Sequence, residues 1–212
     1  MARKARLHVL PSVKQTTRHA GGPSQVARVL MQAPATTPLL PPRIEWLDHR
    51  NPATARRIHA VLMRAHAQEA ALLQVRHFAP LDRSVQDVQR DGDCYLGAVA
   101  PGDATETLLG ALAFAPDDEP GQFIVNSLVV HPLHQRRGVA RALLHEALRL
   151  GGGHAFAVAT ASANVPALAL YRSLGFVVYR HGSVGPEALA LVKLRRPAHA
   201  PAGPPAGRDP RP

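Results

Sequence analysis

Residues 135–141 read Gln-Arg-Arg-Gly-Val-Ala-Arg. They follow the apolar run Ser127–Val130 and lead straight into a helical pattern. A helix that begins at residues 136–138 leaves its first backbone N–H groups without intrahelical partners. Those groups and the positive end of the helix dipole make a site for an anion. Gly138 lets a ligand approach the backbone closely, and Arg136 and Arg137 add positive charge. The arrangement suits a diphosphate. It is not a P-loop, because no Gly-Lys-Ser/Thr follows. Taken alone, the same residues would serve equally well as a solvated arginine cap. His131 and His134 flank the turn at a spacing found in zinc sites, but no cysteine or second close pair completes four ligands, so no metal is expected. Cys94 is the only cysteine, and no internal disulfide can form.

The elements around this turn alternate. A strand is expected over 43–49. Asn51 can cap a helix with Pro52 at its first position, running through Gln68. A short helix fits 84–91. Strands fit 94–100 and 107–115 around the turn Pro101–Glu106, and a third fits 121–130 after the acidic loop Asp117-Asp118-Glu119. Over 138–150 the period becomes helical, with Val139, Leu143, Ala147 and Leu150 on one face and Gly151 after the end. The continuous apolar run 155–162 reads as a strand covered on both faces. Residues 164–174 are helical again, and 176–182 and 188–196 are strands. The order predicts a mixed α/β sheet.

Charge separates the domain from its ends. Residues 1–44 hold seven Lys/Arg and no acid, whereas residues 45–196 hold 16 basic and 14 acidic residues. The part with element periodicity is close to neutral, which argues against nucleic acid as its partner. Residues 1–42 and the Pro/Ala-rich residues 197–212 lack the apolar content to offset chain ordering, so both are expected to be disordered tails around a domain at 43–196. No apolar stretch reaches the length of a membrane helix, and the start lacks a secretory pattern. A cytoplasmic location is expected. The basic, acid-free N-terminus also has the composition of an organelle transit peptide, against the plainer readings of a floppy extension or an early start codon.

Two segments together carry a resemblance. Gln135-Arg-Arg-Gly-Val-Ala140 is similar to the Gln/Arg-x-x-Gly-x-Gly/Ala signature of the GNAT superfamily of N-acetyltransferases. About 24 residues further on, Asn164-Val-Pro-Ala-Leu-Ala-Leu-Tyr-Arg-Ser-Leu-Gly-Phe176 resembles that superfamily's Asn-x-x-Ala-x-x-Leu-Tyr-x-x-x-Gly-Phe pattern. The likeness is strongest over 123–180, and the order of elements extends it to 45–196.

The resemblance implies a mostly antiparallel central sheet whose two central strands splay in a V, with flanking helices. It implies acetyl-CoA as cosubstrate and transfer of its acetyl group to a primary amine by direct attack in a ternary complex. The strand at Leu128, Val129 and Val130 would pair with the pantetheine arm, as an added strand would. The amides of Gln135, Arg136, Arg137, Gly138, Val139, Ala140 and Arg141 would hold the pyrophosphate. Ala140 stands where a second glycine is commoner. Asn164 would cap its helix and face the pantetheine. Tyr171 occupies the position of the usual general acid, and a strand amide near Val130 would meet the developing oxyanion.

The base departs from the family pattern. Many relatives carry Glu where this chain has Asn126. The ribosomal-protein alanine acetyltransferases, which the stretch Gln135–Leu144 resembles, often carry Glu where it has Ala159. His131 and His134 can titrate in the useful range, and ordered water is the other route. An alternative reading is a catalytically weak acyl-CoA sensor, or an interaction module with a basic tail. The acceptor amine is not specified, a homodimer is compatible with the sequence, and no membrane partner is expected. The acidic loop at 117–119 is a candidate border of the acceptor entrance.

Overall fold

The computed structural model describes residues 41–101 and 107–198. Apart from two residues at the inner end of each, the expected tails at 1–42 and 197–212 lie outside the described residues, as does the turn at 102–106.

Asn51 opens the first helix, α1 (Pro52–Leu73). Its Oδ1 accepts from the Ala53 N–H at 2.8 Å and the Thr54 N–H at 3.3 Å, satisfying two donors that a helix start leaves free. The helix continues past Gln68 because Glu69-Ala-Ala-Leu-Leu are all strong helix formers. Gln74 stops it with a left-handed φ of 56°. A second, short helix, α2 (Val85–Arg90), begins with a capping box between Ser84 and Asp87.

Seven strands follow the expected order: β1 (Arg43–Trp46), β2 (Cys94–Val99), β3 (Leu108–Pro116), β4 (Gln122–Val130), β5 (Ala155–Ala161), β6 (Val177–Val184) and β7 (Leu189–Arg196). They form one sheet in the order β1-β2-β3-β4-β5-β7-β6. Every pair is antiparallel except β4 with β5. The parallel pair needs a crossover, which α3 (Val139–Leu150) supplies, while α4 (Val165–Ser173) links β5 to β6. The architecture is the mixed, mostly antiparallel sheet with flanking helices that the sequence led us to expect. Among the described residues no helix is long and apolar enough to cross a membrane.

Each face of the sheet carries its own core. Successive side chains of a strand point to opposite faces, so β2 sends Leu96 and Ala98 to one side and Tyr95 and Val99 to the other. On the first side, Leu143, Leu144 and Ala147 of α3 pack fully buried with Leu112 and Phe156. On the second, Ile58 and Leu62 of α1 pack against the sheet. Truncating a side chain such as Leu143 to alanine costs about 2–5 kcal/mol in such settings.

The sheet opens in its middle. β4 and β5 pair only from Gln122 with Ala155 to Val125 with Val158. Beyond Val125 they part. The cause lies on the other edge of β4, where Ser127 faces Ala113 but Val125 faces Phe114, leaving Asn126 as an extra residue. A bulge of this kind bends its strand. The bend comes at the residue where pairing with β5 ends, and it turns the rest of β4 away from β5.

Candidate active site

The part of β4 beyond the bulge has one bonded edge and one open edge. His131 N–H donates to the Leu109 carbonyl at 2.8 Å. Antiparallel pairing alternates, so Val129 is bonded to Ala111 in the same way, and the amide groups of Leu128 and Val130 point away from β3 into the opening. There the Val130 carbonyl accepts from Gln135 Nε2 at 3.3 Å, and the same nitrogen donates to Gln68 Oε1 at 2.6 Å. Gln135 thus ties β4 to α1 across the mouth of the cleft.

At this mouth α3 begins. Gly138 sits at its N-cap with φ 80° and offers no side-chain cap to the first turn. Glycine reaches that φ without strain. A Cβ here would meet nothing within 4 Å, so the space above the helix end is open. Arg136, with φ 61°, precedes it, and Arg141 is anchored through Nη2 to Ser173 Oγ at 2.9 Å. Free amides, a helix dipole and arginines are an arrangement whose electrostatics suit a phosphate-like anion. Nearby His134 titrates below the ordinary histidine range, first because it is desolvated and then because His131 and Arg137 repel its charge.

A cavity of about 660 Å³ runs from this helix start along the open edge of β4 to α4. Its walls include Leu128, Val129, Val130, Gln135, Arg136 and Gly138. Val139, Ala140, Arg141, Asn164 and Tyr171 complete the predicted set on these walls. Arg137 is exposed and lies outside them. A second cavity of about 470 Å³ opens on the far side, between the splayed parts of β4 and β5, the segment after α1, and the turn between β6 and β7. Five residues line both: Glu69, Leu128, Asn164, Ala167 and Tyr171.

Tyr171 is buried at this shared wall, tilted against the Phe176 ring at 5.6 Å. Burial, and then the charge of Glu69, push its phenol above the ordinary range, so it holds its proton at neutral pH. Asn164 caps α4, its Oδ1 accepting from the Ala167 N–H at 3.1 Å. Its Nδ2 is then free to donate to Glu69 Oε1 at 2.9 Å. The other carboxylate oxygen faces His66 Nδ1 at 3.3 Å.

Sequence reading missed Glu69, because it ended the helix at Gln68, five residues before its end at Leu73. The signal was present in the spacing. Ala65, Gln68, Glu69 and Leu72 all line the first cavity and lie on one helical face. They continue the stripe that buries Ile58, Val61 and Leu62 further up the same helix.

Asn126 and Ala159 line the second cavity but carry no carboxylate, and Asn126 Nδ2 donates to the two oxygens of Asp93 at 3.0 and 3.1 Å. His134 lines only the first cavity, and His131 lines neither. The acidic loop does not border the entrance. Asp117 accepts from Gln122 at 2.6 Å, at the opposite end of β4, and Glu119 pairs with Arg195 at 3.2 Å. Among the described residues no three His, Cys, Asp or Glu are grouped to hold a metal.

The model of the acetyltransferase (GNAT) family matches residues 60–176. The chain belongs to this family. The GNAT chain is 32% identical to N-alpha-acetyltransferase RimI of Mycobacterium tuberculosis over 122 residues, which are 54% of this chain and 75% of RimI. It is also 30% identical to UPF0157 protein YqkA of Bacillus subtilis over 134 residues, which are 63% of this chain. Of the curated relatives it matches, the chain spans only 37% of the length of YqkA and 23% of another. Among solved structures, yncA from Salmonella typhimurium, determined with acetyl-CoA, superposes with a TM-score of 0.54 at 22% identity, covering 78% of this chain and 98% of yncA. That similarity is one of fold.

Proposed function

We propose that residues 43–196 form an acetyl-CoA-dependent N-acetyltransferase that acts on a primary amine by direct attack in a ternary complex. The observation that carries this reading is the wall shared by the two cavities. A donor lying in the first and an acceptor entering the second would meet at Tyr171. The yncA structure with acetyl-CoA supports the donor assignment, and the name of RimI supports an α-amine as acceptor.

In this reading the free amides at the start of α3, with Arg136 and Arg141, would take the diphosphate. The open edge of β4 at Leu128 and Val130 would pair with the pantetheine amides. A β4 amide near Val130 would stabilise the oxygen that gains charge as the amine attacks. The Tyr171 hydroxyl would donate toward the departing sulfur. A phenol near ~10 is a weaker acid than a thiol near ~8.5, so hydrogen bonding rather than full transfer accounts for its contribution.

Release of free CoA thiol from acetyl-CoA with a panel of peptide α-amines, lysine side-chain amines and small primary amines tests the proposal. Thiol release that depends on one of these amines, with acetylated product recovered, is the expected result. Tight acetyl-CoA binding without thiol release from any amine would instead make the chain an acyl-CoA sensor.

A further inference from the structure

Resting on that reading, we propose that Glu69 is the group that takes the proton from the acceptor ammonium, a role that neither Asn126 nor Ala159 can fill. Among the described residues Glu69 is the only carboxylate that lines both cavities. Its side chain keeps a quarter of its surface open, so it is reachable from the second cavity and able to pass a proton onward. It is also held in place. Asn164 Nδ2 donates to Oε1 at 2.9 Å, and the Asn164 amide cannot rotate without giving up its cap on α4. The second oxygen faces His66 Nδ1 at 3.3 Å, and His66 itself lines the second cavity. Each carboxylate oxygen retains a further acceptor site.

The surrounding titratable and charged groups come from several elements. His66 lies on the same helix and Tyr171 on α4. His77 and Glu187 stand on the second cavity's wall, and His134, Arg136 and Arg141 line the first. Glu187 is engaged elsewhere, its Oε1 accepting from the Arg76 and His77 amides at 3.0 and 2.8 Å.

The step balances as follows. The ammonium gives one proton to the Glu69 carboxylate and becomes a neutral amine. Its lone pair forms the C–N bond to the thioester carbonyl carbon, and the C–S bond breaks. The departing sulfur accepts a hydrogen bond from the Tyr171 hydroxyl and takes up the second proton leaving nitrogen, passed on through water. Glu69 then releases its proton past His66 to solvent. The products are the N-acetyl amine, CoA thiol and one proton. Glu69 makes the abundant ammonium form usable at neutral pH, where an α-amine near ~8 is only about 10% free.

Glu69→Gln keeps the acceptor oxygen for Asn164 and removes the charge. With acetyl-CoA and alaninamide as probes, kcat/KM of the full-length variant should fall roughly thirtyfold at about pH 6.5, and the gap should close to a few-fold near pH 9, where the amine is already free. The variant's log kcat/KM should rise close to one unit per pH unit below the amine pKa, while the wild type rises more gently. Glu69→Asp should restore the gentler slope at a reduced rate. Acetyl-CoA affinity, read by calorimetry, should stay within about twofold in both variants. A deficit that is the same at all pH values, or no deficit near pH 6.5, overturns the role of Glu69 alone. Absence of thiol release from the wild-type chain with every amine overturns the acetyltransferase reading and this role with it.

Discussion

Asn164 and Glu69 come together from elements 95 residues apart, and the Asn164 Nδ2 to Glu69 Oε1 hydrogen bond, at 2.9 Å, crosses the seam between the two cavities. The bond is oriented by helix capping. Because the Asn164 oxygen is committed to the Ala167 N–H, only its nitrogen faces the cleft, and a nitrogen donor there calls for a carboxylate or carbonyl opposite. One residue thus fixes both the start of α4 and the position of the acid next to Tyr171.

The start of α3 is testable at Gly138. Acetyl-CoA should raise the melting temperature of the wild type, since a ligand selective for the folded state stabilises it by mass action. Gly138→Ala should cost about 1–2 kcal/mol of stability, because an L-residue is strained at φ 80° even where space is open. Gly138→Glu should also abolish the acetyl-CoA shift, by bulk and by like charge at the diphosphate. A full shift in that variant would place the diphosphate elsewhere.

Tyr171→Phe keeps the ring against Phe176 and removes the hydroxyl. Turnover should fall about 10²-fold with acetyl-CoA affinity unchanged, since the interaction lost is one made as the sulfur departs. Unchanged turnover, with chemistry shown to limit the rate, would leave Tyr171 a packing residue.

The buried phenols set an alkaline limit on stability. Tyr171 is shifted upward by burial first and by Glu69 second; Tyr95 is shifted upward by burial first and then by its hydrogen bond to Asp91. Both bind their protons more tightly in the folded state than in the unfolded chain. Below about pH 10 both states are protonated and this contribution is fully present; above it the unfolded chain loses protons first and stability falls. The melting temperature should therefore fall progressively as pH rises above about 10, and less steeply in Tyr171→Phe. Equal slopes would show that the Tyr171 phenol titrates normally.

The helices and strands were legible because their signals are local. Asn51 with Pro52, Gly138 before an apolar stripe, and Asn164 seven residues before Tyr171 each state a boundary or a spacing in adjacent letters. The anion-binding helix start could be read for the same reason. Glu69 could not be placed from its own neighbourhood, because its importance depends on which element α1 crosses. The stripe of Ile58, Val61 and Leu62 turns polar at Gln68 and Glu69 where the sheet beneath it opens, and the opening is a tertiary fact. The bulge at Asn126 left one faint mark, a polar residue inside an apolar run, which spacing alone could not tell from a solvent-facing strand position. The acidic loop misled for the opposite reason. Its charge was visible, but its partners Lys193 and Arg195 are supplied by β7, at the end of the sheet away from the cleft.

The bulge also gives neighbouring residues of one strand different relations to water. The amides of Val129 and His131 are locked to β3 and should exchange their hydrogens on the timescale of global unfolding, while those of Leu128 and Val130, between and beside them, face the cleft and should exchange orders of magnitude faster. A guest that binds as an extra strand would slow only the fast pair. The alternation along four consecutive residues is thus a built-in recorder of whether the seam is filled, readable without any turnover and without knowing the amine.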